Sequence, residues 1–216
     1  MVTIFKLLEE GRSMIISYLR FALIVACFSL VSCHNTPKLA PLPSDAVVLA
    51  FGDSITFGTG AAPGESYPSI LESVIGRRVV NAGVPGEVTA QGKERLGEVL
   101  DQHRPALMLL CLGGNDFLRN QDQSQTAANL RDMVTLAQQR GVAVVLIAVP
   151  RLGFGLEVPK LYRQIATEFE LPLEEQSLQE ILSTNRLKSD LIHPNALGYR
   201  SLARSVAKVL VDTGAI

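Results

Sequence analysis

Four short apolar runs recur along most of the chain: AVVLAF at 46–51, RVVNAG at 78–83, ALMLLCL at 106–112 and VAVVLIAV at 142–149. Their apolar residues follow one another instead of alternating with polar ones. An alternating strand has one wet face, whereas a continuous one is buried on both, the condition of strands in a parallel sheet covered by helices. The segments between the runs carry a helical period. Tyr67, Ile70, Leu71, Val74 and Ile75 make one stripe; Leu96, Val99, Leu100 and His103 a second; Leu130, Met133, Val134 and Ala137 a third. Leu161, Tyr162, Ile165 and Phe169 make a fourth, and Tyr199, Leu202, Ala203, Val206 and Leu210 the last. Strand and helix in repeated alternation predict an α/β fold, a three-layer α/β/α sandwich on a mainly parallel sheet. A chain of 216 residues, 47% hydrophobic, has the material for one such core, expected over residues 46–216.

The N-terminus is a separate object. Lys6, Arg12 and Arg20 precede FALIVACFSLVSC, a run too short to span a bilayer comfortably and ending in small residues. This is the pattern of an export signal, expected over residues 1–33. Glu9 and Glu10 are out of place in a positive leader, whereas a start at Met14 leaves a compact signal with Arg20 as its charge; Met14 is the expected translation start. The ending LVSC resembles the bacterial lipobox, in which the Cys, here Cys33, is lipidated and begins the mature protein. The expectation is an exported protein, lipid-anchored in a bacterial cell envelope. His34 rather than Asp after that Cys implies the outer membrane, facing the periplasm, in a Gram-negative host. Residues 34–45, with Pro37, Pro41 and Pro43, favour extended backbone and are expected to form a tether.

Charge and cysteine usage remove other classes. The net charge is −1, with no basic block beyond pairs such as Arg77-Arg78, so no nucleic-acid partner is expected. Cys27 lies in the leader and Cys33 would carry lipid, so Cys111 alone remains and no disulfide framework can form. Inside ALMLLCL, Cys111 reads as core and not as a nucleophile. The carboxylates lack His or Cys companions at ligand spacing, so no metal site is expected. GTGAAPG is Gly-rich but misses G-x-G-x-x-G, and no P-loop Lys follows it, so no nucleotide cofactor is expected either.

In an open α/β sheet, ligands sit beyond the carboxyl ends of the strands. The residues there are Gly52-Asp53-Ser54 after the first run, NAGVPGE with Gly86 at the second, GGND at 113–116 after the third, and DLIHPN, with Asp190 and His193, before the last helix. Read singly, Ser54 serves equally well as a helix cap, Gly86 and Asn115 as turn residues, and Asn195 as the cap of the final helix. Together and in this order the four blocks resemble the SGNH, or GDSL, hydrolase family over residues 46–211, most closely its bacterial thioesterase I/lysophospholipase L1 and arylesterase branch. Ser54, Gly86, Asn115 and His193 take the four positions that name the family.

The resemblance implies a flavodoxin-like fold and a serine esterase without cofactor. Ser54 would be the nucleophile, His193 its base and Asp190 the carboxylate that orients the imidazole. The N–H groups of Ser54 and Gly86 and the Asn115 amide would form the oxyanion hole, glycine at 86 letting the backbone approach substrate closely. Expected substrates are carboxylic esters, with thioesters and lysophospholipids as further candidates; an acyl-CoA role fits badly with export. The loop FLRNQDQ would line the acyl pocket, with Phe117 where a small residue is common in the family. The alternative is a surface lipoprotein that keeps the fold for binding or envelope scaffolding. Such inactive copies lose a member of the triad, and none is missing here.

Overall fold

The computed structural model describes residues 37–153 and 155–216. The leader, Cys33 and His34 lie outside the described residues. Seven strands are described: β1 (Val47–Gly52), β2 (Arg78–Gly83), β3 (Leu107–Cys111), β4 (Ala143–Ile147), β5 (Arg151–Gly153), β6 (Gly155–Glu157) and β7 (Leu173–Glu174). The helices are α1 (Ser54–Phe57), α2 (Tyr67–Ile75), α3 (Thr89–His103), α4 (Gly114–Leu118), α5 (Gln123–Gln139), α6 (Leu161–Glu168), α7 (Ser177–Ser183) and α8 (Ala196–Thr213). Among the described residues no helix is long and apolar enough to cross a membrane.

Five strands form one parallel sheet in the order β2-β1-β3-β4-β7. This is the doubly wound order in which the chain leaves the first strand in one direction and later crosses to its other side. Helices α2 and α8 pack together, and α3 packs on α5, which packs on α6. These two groups form the layers on either face of the sheet, as right-handed crossovers require. Between them Val48 to Phe51, Leu107 to Cys111 and Val144 to Ile147 are almost wholly buried, which is why these runs read as continuously apolar.

β2 departs from that expectation. Only Val79 is fully buried in it, while Arg78 and Asn81 are exposed, because it is an edge strand paired with β1 alone. The sheet closes at its other edge with the two residues of β7. A small antiparallel hairpin, β5 with β6, stands apart from the sheet and packs on α4 and α7.

Of the segment expected to form a Pro-rich tether, residues 37–45 are described, and from Leu39 on they are not free. There the chain is laid along the domain: Leu39 N–H donates to Thr213 O at 3.0 Å and Leu42 N–H to Ala215 O at 2.8 Å. Arg77 donates to Pro43 O and Leu42 O, and the Leu42 side chain is 8% exposed. The segment is extended, as prolines favour, yet its leucines find apolar surface by the end of α8. It lies where the strands begin, since Ala46 and Arg77 immediately precede β1 and β2.

Candidate active site

At the opposite end, β1 stops at Gly52 because α1 turns back at once over the sheet. A Cβ at Gly52 would stand 2.2 Å from Thr56 Oγ1 and 2.3 Å from Cys111 O, so the strand, the turn and β3 can only meet at a residue without a side chain. Asp53 is the helix cap: its Oδ1 accepts the Ile55 N–H at 3.0 Å. Ser54 is therefore the first helical residue, and its hydroxyl is not consumed by capping.

The hydroxyl is held elsewhere. Ser54 Oγ lies 2.9 Å from His193 Nε2, and His193 Nδ1 lies 2.8 Å from Asp190 Oδ2. With Nδ1–H donated to the carboxylate, Nε2 is the lone-pair nitrogen and accepts the Ser54 O–H. Asp190 is locked into its own loop, its Oδ1 accepting the N–H groups of Ile192 at 2.8 Å and His193 at 2.9 Å. Partial desolvation pushes the Asp190 carboxyl up, but the bonds from the His193 ring and these two N–H groups outweigh it, and the group ionises below its ordinary range. The loop is tied back by Ser189 N–H to His193 O at 2.9 Å. Asn195 caps α8 through Leu197 and Gly198, and its Nδ2 donates to Arg186 O and Lys188 O.

Gly86 sits in the turn after β2 with φ of +79°, a left-handed conformation that side chains disfavour. Its direction of Cβ growth is open among protein atoms, the nearest being Arg119 Nη2 at 3.7 Å. Among protein atoms, backbone conformation is what selects glycine here. No hydrogen bond of the described residues uses the N–H of Ser54 or of Gly86. Asn115 follows β3 in the first turn of α4, at the neighbouring sheet position. Its Nδ2 donates to Asp53 Oδ2 at 3.1 Å and to Glu87 O at 3.0 Å. All five residues singled out for the site thus collect at the carboxyl ends of β1, β2 and β3.

Two further groups hold this end of the sheet. The Arg95 guanidinium donates to both oxygens of Glu87, at 2.6 and 2.7 Å, and to Ala82 O at 2.9 Å, while lying 4.0 Å over the Phe51 ring. Asp116, wholly buried, accepts the Thr89 N–H and the hydroxyls of Thr89 and Thr126. Neither could be found from the sequence, because each partner lies on another element. Cys111 is free and buried, as core.

Beside Ser54 and His193 opens a cavity of about 210 Å³ with a largely apolar wall. Phe117 does line it, packed edge-on against Tyr162 at 6.3 Å, whose hydroxyl donates to Leu112 O. The wall also includes Leu182 and Ile192 and, from the hairpin, Leu152 and Leu156. The hairpin leucines were missed in the sequence, where two leucines among glycines carry no period. Among the described residues no group of three or more His, Cys, Asp or Glu side chains converges as a metal site would need.

A parallel sheet in this order, with a hydroxyl, an imidazole and a carboxylate in line where β1 and β3 diverge in their connections, defines a hydrolase of the SGNH type. The chain belongs to the GDSL-like lipase/acylhydrolase family, whose model matches residues 50–201. It is 31% identical over 172 residues to thioesterase 1/protease 1/lysophospholipase L1 of Escherichia coli K12, covering 76% of this chain and 82% of that protein. To an arylesterase of Vibrio mimicus it is 29% identical over 175 residues, covering 76% and 88%. The crystal structure of TesA is similar with a TM-score of 0.70 at 26% identity, covering 77% of this chain and 99% of that one. The protein is an ester hydrolase of this family, and nothing in these likenesses supports a binding-only lipoprotein.

Proposed function

We propose that Ser54, His193 and Asp190 act as the catalytic triad of a carboxylesterase for short and medium acyl chains. Ser54 Oγ attacks the ester carbonyl carbon as His193 Nε2 takes its proton. The oxyanion that forms is met by the N–H groups of Ser54 and Gly86 and by the Asn115 amide. Collapse of the tetrahedral intermediate expels the alcohol, protonated by His193, and leaves an acyl-Ser54. Water, deprotonated by the same imidazole, then releases the carboxylic acid and restores the hydroxyl. Asp190 keeps Nδ1 protonated and stabilises each transient imidazolium.

The observation that carries this reading is the unbroken chain from Ser54 to His193 to Asp190, at 2.9 and 2.8 Å, opening on an apolar cavity. At about 210 Å³ that cavity is smaller than the roughly 300–1,000 Å³ of most small-molecule sites, which favours a modest acyl chain over a long one. The related arylesterase and lysophospholipase point to the same bond type with different leaving groups. A fluorophosphonate probe is expected to label wild-type protein at Ser54 and to leave Ser54→Ala unlabelled. A panel of esters from acetyl to palmitoyl, with a thioester and a lysophospholipid, is expected to peak at short to medium chains. Labelling at another residue would overturn the triad, and a maximum at palmitoyl the chain-length assignment.

We also propose export and lipid anchoring through Cys33. Lipid chains contribute about 0.8 kcal/mol per buried CH2, so several hold a protein on a membrane. Cys33→Ser is expected to abolish incorporation of labelled fatty acid.

A further inference from the structure

Asp53 is the residue of the site whose chemistry is least accounted for. Its side chain is 2% exposed, and no Lys or Arg among the described residues bonds to it. Burying a carboxylate is unfavourable unless its oxygens are well used. Capping Ile55 engages Oδ1 alone, and Ser, Thr or Asn would cap as well. Oδ2 is engaged by the Asn115 amide, and the amide's other bond goes to Glu87 O.

An Asn side chain has a donor end and an acceptor end. With Asp53 ionised, both neighbours of the donor end are acceptors only. Turning the amide over would set Asn115 Oδ1 against Asp53 Oδ2 and Glu87 O, oxygen facing oxygen on both sides. Asp53 adjoins Ser54 in the chain and Glu87 adjoins Gly86, so Nδ2 lies beside the residues whose N–H groups are unengaged; its two hydrogens are both donated in the resting site, and the one on Glu87 O is the one that turns to the oxyanion while Asp53 keeps the other. Of the two acceptors, Glu87 O is backbone and cannot be changed by substitution. Asp53 is the one the sequence chooses.

We infer that Asp53 is a positioning residue for the oxyanion hole, holding the Asn115 amide with its nitrogen toward the reacting carbonyl. This rests on the reading of Asn115 as an oxyanion donor. Asp53 touches neither substrate nor the reacting atoms; it acts through Asn115.

Asp53→Asn preserves shape and the cap acceptor but places an N–H against the Asn115 N–H, so that neither amide orientation satisfies both neighbours. Asp53→Asn, Asn115→Ala and the double variant should be assayed on one ester, with folding checked by circular dichroism. Asn115→Ala is expected to lose about 100- to 1,000-fold in kcat, and Asp53→Asn about 10- to 100-fold, each with little change in KM. The double variant is expected to match Asn115→Ala alone, because the first change has nothing left to misplace. Wild-type kcat in Asp53→Asn, or losses that multiply in the double variant, would overturn the inference while leaving the oxyanion role of Asn115 intact. Wild-type kcat in Asn115→Ala would overturn both.

A measurement on the wild-type protein stands independently of how the variants fold. The two Nδ2 protons of Asn115 are expected as separate NMR signals protected from exchange with water. Exchange as fast as that of an exposed amide would exclude the positioning bond.

Discussion

A serine that opens a helix is ordinarily spent as its cap; at Ser54 the hydroxyl is spared because Asp53 does that work one residue earlier. The arrangement puts a carboxyl where water does not reach, and it has a thermodynamic signature. Burial first, then the charges of Glu87 and Asp116, push Asp53 up to about 7 against the lowering effects of the Ile55 N–H and His193. The unfolded chain would ionise it near 3.9. Folding therefore favours the protonated form. That stability is fully present below about pH 4 and is lost as pH rises through about 7, on the order of 4 kcal/mol in all. Urea unfolding is expected to show wild type losing stability relative to Asp53→Asn between these limits, with parallel curves above; curves parallel throughout would mean that Asp53 ionises freely. That Ser54, Gly86, Asn115, Asp190 and His193 would gather at one end of the sheet was legible in the sequence, since each stands just after a strand or before a helix. The bond from Asp53 to Asn115 was not, because it joins residues 62 positions apart in the chain.

Secondary elements divide in the same way. β1, β3 and β4 are long enough, and buried enough, for their apolar runs to declare them. β7 has two residues and the hairpin strands three each, too few for any period to register. The hairpin nevertheless forms part of the cavity wall. Leu152 and Leu156 face each other across it, and Gln179 Nε2 ties it to α7 by donating to Leu156 O at 2.6 Å. Leu156→Ala removes apolar wall without touching Ser54 or His193. It is expected to shift the preferred acyl chain upward and to lower kcat/KM most for the substrate the wild type prefers, measured on the ester panel. An unchanged chain-length profile would mean that the hairpin does not bound the acyl chain.

For the molecule as a whole, the parallel sheet sorts chemistry by end. Every strand starts at one edge and finishes at the other, so the catalytic candidates gather at the finishing edge, while the docked segment from Leu39 to Pro43 lies at the starting edge. Six-residue strands such as β1 hold those edges roughly 20 Å apart. The alternation of strand and helix made this polarity legible in the sequence; the docking of residues 37–45 was not, because proline-rich composition reports backbone preference and not the surface on which a leucine comes to rest.

That docking gives the molecule a bearing. Three residues separate Cys33 from Pro37, a leash of at most about 14 Å from one Cα to the other. Were the proposed anchor at Cys33 in place, so short a leash attached at the starting edge would favour a mouth turned away from the membrane and esters arriving from the surrounding fluid. Inserting a long Gly/Ser linker before Pro37 is expected to raise hydrolysis of lysophospholipid in the mooring membrane while leaving a water-soluble ester unaffected; equal rates on the embedded lipid with either length of leash would show that the mouth already reaches down.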